Sequence, residues 1–219
     1  MTKQHRMNLA LALMLALALL LPCMGAAAEG LGLTPDTKEA TQYTIDANEQ
    51  VYALLDFDDE RELENAQRGL IAAPDSLVIK TEDGKVAWSQ DAYAFLDEKA
   101  PNTANPSLWR NTQLNHIYGL FEVMDGIYQV RGYDMSNITF IKGNTGWIIY
   151  DPLMTVECAK AAFDLVKENL GDYPVKAILY SHSHVDHFGG VEGIVSEEQV
   201  NAEEILIIAP EGFEEHAVS

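Results

Sequence analysis

The stretch Ile178–Gly190, ILYSHSHVDHFGG, places His182, His184, Asp186 and His187 within six residues, directly behind an apolar run. Half of the chain's six histidines stand here. Imidazole nitrogens and carboxylate oxygens are zinc ligands, and a catalytic zinc keeps one coordination position open. On extended backbone after a strand, residues 182, 184 and 186 project to one side. His187, at a turn, can swing round beside Asp186. The segment therefore offers two imidazoles to one metal and a carboxylate plus an imidazole to a second. Two metals a few ångströms apart can clamp a negatively charged ester. Gly189 and Gly190 are expected to let the backbone turn sharply without Cβ clashes. Ser181 and Ser183 read as spacers, His116 as a polar residue of a helical stretch, and His216 as a helix-surface histidine.

The elements that must position this loop follow from periodicity. Ile127–Val130, Ile138–Ile141 and Trp147–Tyr150 are β-prone runs separated by Asp125-Gly126-type turn signals. Val156–Gly171 reads as a helix, with Ala159, Ala162, Phe163, Val166 and Leu170 on one face and Gly171 as its stop. A strand over Val175–Tyr180, the histidine loop, a short helix from Gly189 and a strand over Ile205–Ala209 come next. Strand, helix, strand, loop is an α/β order with the chemistry at a strand's carboxyl end. Upstream, apolar residues at helical spacing predict two helices across Thr44–Ala72, broken near Phe57-Asp58-Asp59. Leu77–Trp88 reads as a hairpin around Asp83-Gly84, and Ser89 as the N-cap of a helix over the following residues.

Residues 1–28 have the pattern of a secretory signal peptide. Lys3 and Arg6 precede the uncharged run Met7–Leu21, and Ala26 and Ala28 form an A-x-A site with cleavage expected after Ala28. The run is short for a membrane span, which needs roughly 20 residues. Pro22 stands before Cys23 where a lipoprotein would have a small residue. Cleavage leaves Cys158 as the sole thiol, which excludes an intrachain disulfide. A periplasmic or secreted location is the expectation. The net charge of −20 and pI near 4.4 argue against nucleic acid or an anionic membrane as partner. An anionic small molecule is compatible, because bound metals reverse the field locally.

The motif and its flanks resemble a known family. SLWRNTQLNHIYGLFEVMDGIYQVRGYDMSNITFIKGNTGWIIYDPL, YSHSHVDHFGGV and IIAPEGFEEHAVS are similar to the zinc alkylsulfatases of the metallo-β-lactamase fold, over roughly residues 77–219. The resemblance implies an α/β chain: a signal peptide at 1–28, a mainly helical segment at 29–119, and the first half of an αββα sandwich at 120–219. It implies two Zn2+ per site, with His182 and His184 on one and Asp186 and His187 on the other. Asp151, in the YDP turn after a strand, matches the fold's acidic residue near the site and is expected to orient a ligand rather than bind metal. The implied substrate is a primary alkyl sulfate of the dodecyl sulfate kind, cleaved to alcohol and sulfate by a protein that is a homodimer at full length. In that family the remaining ligands, two acidic residues and a histidine, lie beyond the position of Ser219. An N-terminal fragment with weak zinc binding, little activity and one exposed sheet face is therefore expected. The generic motif alone would also suit lactam, thioester or phosphodiester hydrolysis, or a non-catalytic fragment.

Overall fold

The computed structural model describes residues 38–219, so the expected signal peptide, its cleavage site and Cys23 lie outside the described residues. Contacts group Asp46–Ser219 into one compact unit. Two helices open the described chain, α1 (Gln42–Leu54) and α2 (Arg61–Gln67). The helical reading of Thr44–Ala72 changes at its end: Leu70–Ala72 is strand β1. The hairpin falls where expected, as β2 (Val78–Lys80) and β3 (Val86–Ser89), with Gly84 at φ +83° in its turn. The residues after Ser89 form a 3₁₀ segment, Asp91–Asp97, rather than an α-helix. Its N-cap is Gln90, without a side-chain cap, rather than Ser89, whose hydroxyl accepts from Ala92 N at 3.2 Å one residue earlier.

Helix α3 (Pro106–Asn115) begins at Asn105, whose side chain accepts from Ser107 N and Leu108 N, and Pro106 occupies its first turn where no amide hydrogen is missed. Strands β4 (Gly119–Met124), β5 (Ile127–Arg131), β6 (Ile138–Lys142) and β7 (Trp147–Tyr150) follow as an antiparallel meander. Helix α4 (Val156–Leu170) then crosses over to β8 (Val175–Leu179), which pairs parallel with β7. The short helix α5 (Glu197–Asn201) leads to β9 (Leu206–Ile208), parallel to β8. Helix α6 (Phe213–Ala217) ends the chain. The seven-stranded sheet has the order β1-β4-β5-β6-β7-β8-β9.

The period of two along the strands explains how the sheet is buried. Leu120, Val130, Ile138, Phe140, Trp147, Ile149 and Ile178 alternate onto one face and are buried. Against them α4 lays Cys158, Ala159, Ala162, Phe163 and Val166, its apolar stripe, with Phe163 stacked on Phe140 at 6.0 Å. Thr155 caps α4, and Gly171 at φ +103° ends it. Leu77 and Ile79 of the hairpin complete this core. The opposite face is apolar yet open: Leu70, Met124, Tyr150, Leu206 and Ile208 are exposed, as expected for one sheet of a sandwich. Among the described residues, no helix is long and apolar enough to cross a membrane.

Candidate metal centre

The carboxyl ends of parallel strands β7 and β8 lie side by side, so the residues leaving them meet. Asp151 follows β7 directly. Its amide donates to Leu179 O at 3.0 Å, continuing the ladder, but its φ of +55° puts it in the left-handed region. That conformation costs a non-glycine residue of order 1 kcal/mol and persists only where the surroundings impose it. Here it folds the carboxylate inward, where Asp151 is 5% exposed. Ser181 N and Oγ donate to Oδ1 and Oδ2 at 2.7 and 2.6 Å, and His187 Nδ1 lies 2.8 Å from Oδ2. These three partners balance a carboxylate that would be costly to bury alone.

His187 is held at both ring nitrogens. With its proton on Nδ1 and given to Asp151, Nε2 carries the free lone pair, and Nε2 lies 3.2 Å from Asp186 Oδ2. Two ligands of one tetrahedral zinc, each about 2.1 Å from it, are roughly 3.4 Å apart. The Asp186–His187 pair thus has the spacing that a shared metal would set. His182 is treated alike through an intermediary: its Nδ1 is 2.7 Å from Ser181 Oγ, whose own hydrogen goes to Asp151. The His182 ring stands 4.6 Å from that of His184 and 4.2 Å from that of His187, centroid to centroid. One ligand atom from each of Asp151, His182 and His187 lies within 4.8 Å of the others. The donor set fits a divalent metal of zinc's kind. Asp151 has its oxygens committed to hydrogen bonds, which suits it to orienting the imidazoles.

The backbone differs from the extended path read from sequence. Only Ser181–His184 is non-helical; Val185–His187 forms a 3₁₀ turn, with His187 N donating to His184 O at 3.0 Å. Asp186 sits within that turn, and its carbonyl is held by the Ser136 hydroxyl. In place of a helix from Gly189 there is a second 3₁₀ turn, Val191–Gly193. Neither Gly189 nor Gly190 has a positive φ. The reason for glycine is close approach: a Cβ on Gly190 would meet Thr155 O at 2.6 Å and Ala159 Cβ at 2.8 Å, and would press on Pro152 O. Gly190 N also donates to Leu153 O at 2.9 Å, joining the loop to the turn that carries Asp151. Ser181 is no spacer, because its hydroxyl links Asp151 to His182. Its signal was the polar residue between a strand and a ligand histidine, but its partner is 30 residues away. Asp134, buried, clamps the same region by accepting from Met154 N and Thr155 N at 3.1 and 3.2 Å.

Other residues considered in the sequence fall elsewhere. His116 Nδ1 bonds Gln90 Oε1 at 2.7 Å, in a separate cavity. His216 is on α6, exposed, as are Glu211, Glu214 and Glu215. The α6 segment nevertheless braces the loop through Phe213, which packs on Tyr180 and Phe188 at 5.2 Å each. Burial there pushes the Tyr180 phenol up to about 12.

A sheet covered by helices on one face, with a His/Asp cluster at the carboxyl ends of adjacent strands, matches one half of the metallo-β-lactamase αββα sandwich. Residues 131–219 match the model of the metallo-beta-lactamase superfamily. The chain is, more narrowly, a homologue of alkylsulfatases. It is 48% identical over 210 residues to an (R)-specific secondary-alkylsulfatase of Pseudomonas sp., covering 95% of this chain and 31% of that protein. A linear primary-alkylsulfatase of Pseudomonas sp. is 50% identical over 184 residues, 83% of this chain and 27% of the relative. The solved stereoselective inverting sec-alkylsulfatase Pisa1 from Pseudomonas sp. superposes with a TM-score of 0.79 at 49% identity, over 85% of this chain and 29% of its own. The chain therefore spans about a third or less of the relatives it matches.

Proposed function

We propose that this chain carries the first metal-binding segment of a zinc-dependent hydrolase that cleaves alkyl sulfate esters to alcohol and sulfate. The observation that supports this most directly is the paired orientation of His187 by Asp151 and of His182 through Ser181, in a chain nearly half identical to alkylsulfatases. His182 and His184 would hold one zinc, and Asp186 and His187 the other. Zinc bound there would supply positive charge and Lewis acidity against the ester's oxygens. The chain's own part is positional. Asp151 keeps a proton on Nδ1 of His187, Ser181 does so for His182, and both Nε2 atoms are left as donors to metal. Ser136 and Asp134 hold the two loops in register.

Two ligands per metal fall short of the three that a catalytic zinc has. The 219 residues alone are accordingly expected to bind zinc weakly and to release little sulfate, whereas a chain extended to the relatives' length is expected to be active and dimeric. Primary alkyl sulfates are the first substrates to try, with secondary alkyl sulfates beside them because relatives are named for each. We also place the protein in the periplasm or outside the cell, on the strength of residues 1–28. The test is release of inorganic sulfate from dodecyl sulfate and a secondary alkyl sulfate by the extended chain, after chelation and after zinc is restored. Hydrolysis of a β-lactam, thioester or phosphodiester, with none of alkyl sulfates, would overturn the assignment. Mass spectrometry of the exported protein should find Glu29 at its amino terminus.

A further inference from the structure

A second concave site lies between β3, the Asp91–Asp97 segment, α3 and the β5–β6 loop. Its volume is about 530 Å³, within the roughly 300–1,000 Å³ range of small-molecule pockets. Arg131 lines it, at the end of β5. Its Nε donates to Gln129 Oε1 at 2.7 Å, and its guanidinium lies 4.3 Å from the centre of the buried Phe121 ring. Gln129 in turn donates to Thr139 Oγ1 at 3.2 Å, which fixes the acceptor side of the amide toward the arginine. No carboxylate pairs with Arg131 among the described residues, and its two terminal nitrogens have no acceptor there. Burial pushes its pKa below the ordinary arginine value, yet a guanidinium remains a cation in any protein.

One acid also lines the cavity. Asp134 accepts from the backbone amides of Met135, Met154 and Thr155 and forms no ion pair with Arg131, so the guanidinium fork is left without a bonded carboxylate. The cavity lining also includes the apolar side chains of Tyr93, Leu96, Leu114 and Ile117. Its edge is stiffened by buried Gln90, which joins His116 Nδ1 to Gly132 O. A half-buried cation with a free donor fork, in one cavity with several apolar side chains, is complementary to an anion that carries a hydrocarbon tail.

We propose that this cavity binds an amphiphilic anion, with a sulfur oxyanion head on the Arg131 guanidinium and an alkyl tail along Tyr93, Leu96 and Leu114. The need for an anion with an apolar tail comes from the cavity itself; the choice of a sulfur oxyanion rests on the alkylsulfatase reading. The site is distinct from the histidine cluster. It would hold a molecule of the substrate's class beside the segment, Gly132–Asn137, whose Ser136 supports Asp186.

The test is calorimetric titration of the chelator-treated chain, purified from Glu29 to Ser219, with decyl sulfonate, which has no ester bond to cleave, kept below its micelle concentration. Saturable one-to-one binding is expected. Arg131→Gln should weaken it at least tenfold, and decanol, which has the tail without the charge, should bind at least tenfold less tightly than decyl sulfonate. Met135→Trp, at an exposed position on the rim, should weaken it by occupying the entrance. His182→Ala combined with His187→Ala should leave it unchanged. Equal binding by Arg131→Gln, equal binding of decanol, unsaturable uptake, or loss on removing the histidines would each overturn the proposal. If Arg131→Gln does not fold, as judged by circular dichroism, the decanol and Met135→Trp comparisons decide. Sulfate release by the zinc-loaded extended chain is measured separately, so either inference can fail without the other.

Discussion

Asp151→Asn separates an orienting carboxylate from a bystander. The substitution is nearly isosteric, but it replaces one carboxylate oxygen by an NH2 group. In the native arrangement Oδ1 accepts from Ser181 N, and Oδ2 accepts from Ser181 Oγ and faces His187 Nδ1. An asparagine can keep only one of these acceptor positions. If its oxygen stays on the Ser181 amide, its NH2 faces His187 Nδ1–H, and the imidazole must shift its proton to Nε2 or turn away. Either outcome removes the lone pair directed at Asp186 Oδ2, 3.2 Å away. Loss of such an outer partner costs about 10–100-fold in metal affinity, or about 1.4–2.8 kcal/mol at a factor of ten per 1.4 kcal/mol. Loss of hydrogen bonds to a buried charge adds about 1.5–3 kcal/mol to the cost in fold stability. The two effects are read apart by chelator-competition titration of zinc at 25 °C and by urea unfolding in the presence of chelator. A zinc affinity within twofold of wild type, in a variant that remains folded, would refute the claim that Asp151 positions the histidines.

Other outcomes follow from the same geometry. Ser181→Ala should lower zinc affinity by less than Asp151→Asn, because His187 keeps its direct partner, and Ser181→Thr should restore it in the same titration. The two effects should be non-additive in a double-mutant cycle, since they share one carboxylate. Gly190→Ala should destabilise the chain by about 1–3 kcal/mol through overpacking against the Thr155 carbonyl and Ala159, seen as a lower urea midpoint at unchanged slope. Phe163→Ala should cost about 3–5 kcal/mol, the range for a buried phenylalanine, because its ring stacks on Phe140 over the sheet. Cys158 is fully buried, and burial pushes its thiol up to about 12. At pH 8 it therefore stays protonated in the native chain; a disulfide reagent should label it only on unfolding, and fast labelling of folded protein would contradict the packing.

The four ligand-type residues were legible because they are adjacent in sequence, and ligand chemistry depends on residue type before it depends on fold. Helix α4 was legible for a related reason: Ala159, Ala162, Phe163 and Val166 repeat at its own period, so no distant information is needed. What escaped depends on pairing across the chain. Leu70–Ala72 continues a helical pattern in sequence and becomes a strand only because Leu70 pairs with Phe121. Ser181 looks like filler until β7 brings Asp151 beside it. Gly189 and Gly190 were recognised as positions where a Cβ would clash, but the clash was assigned to a local sharp turn. Their backbone dihedrals are ordinary, and it is the turn at Leu153–Thr155, more than thirty residues earlier, that leaves no room for a Cβ.

The placement of Asp151 explains why this site can be rigid while standing on a loop. A loop of three 3₁₀ residues and two glycines has little stability of its own, since its internal hydrogen bonds are few. It is tied instead to three elements of the main unit. Asp151 fixes Ser181 and His187 from the end of β7, Leu153 O takes the amide of Gly190, and the Ser136 hydroxyl holds the carbonyl of Asp186. All three ties come from segments that leave or enter the sheet at the same end, where β6, β7 and β8 are in register. The left-handed conformations of Asp151 and Leu153 are the local cost of that arrangement, since they bend the chain back over the ends of the strands. A change that relaxed either residue, such as Leu153→Gly, would leave every proposed ligand in the sequence and still loosen the cluster.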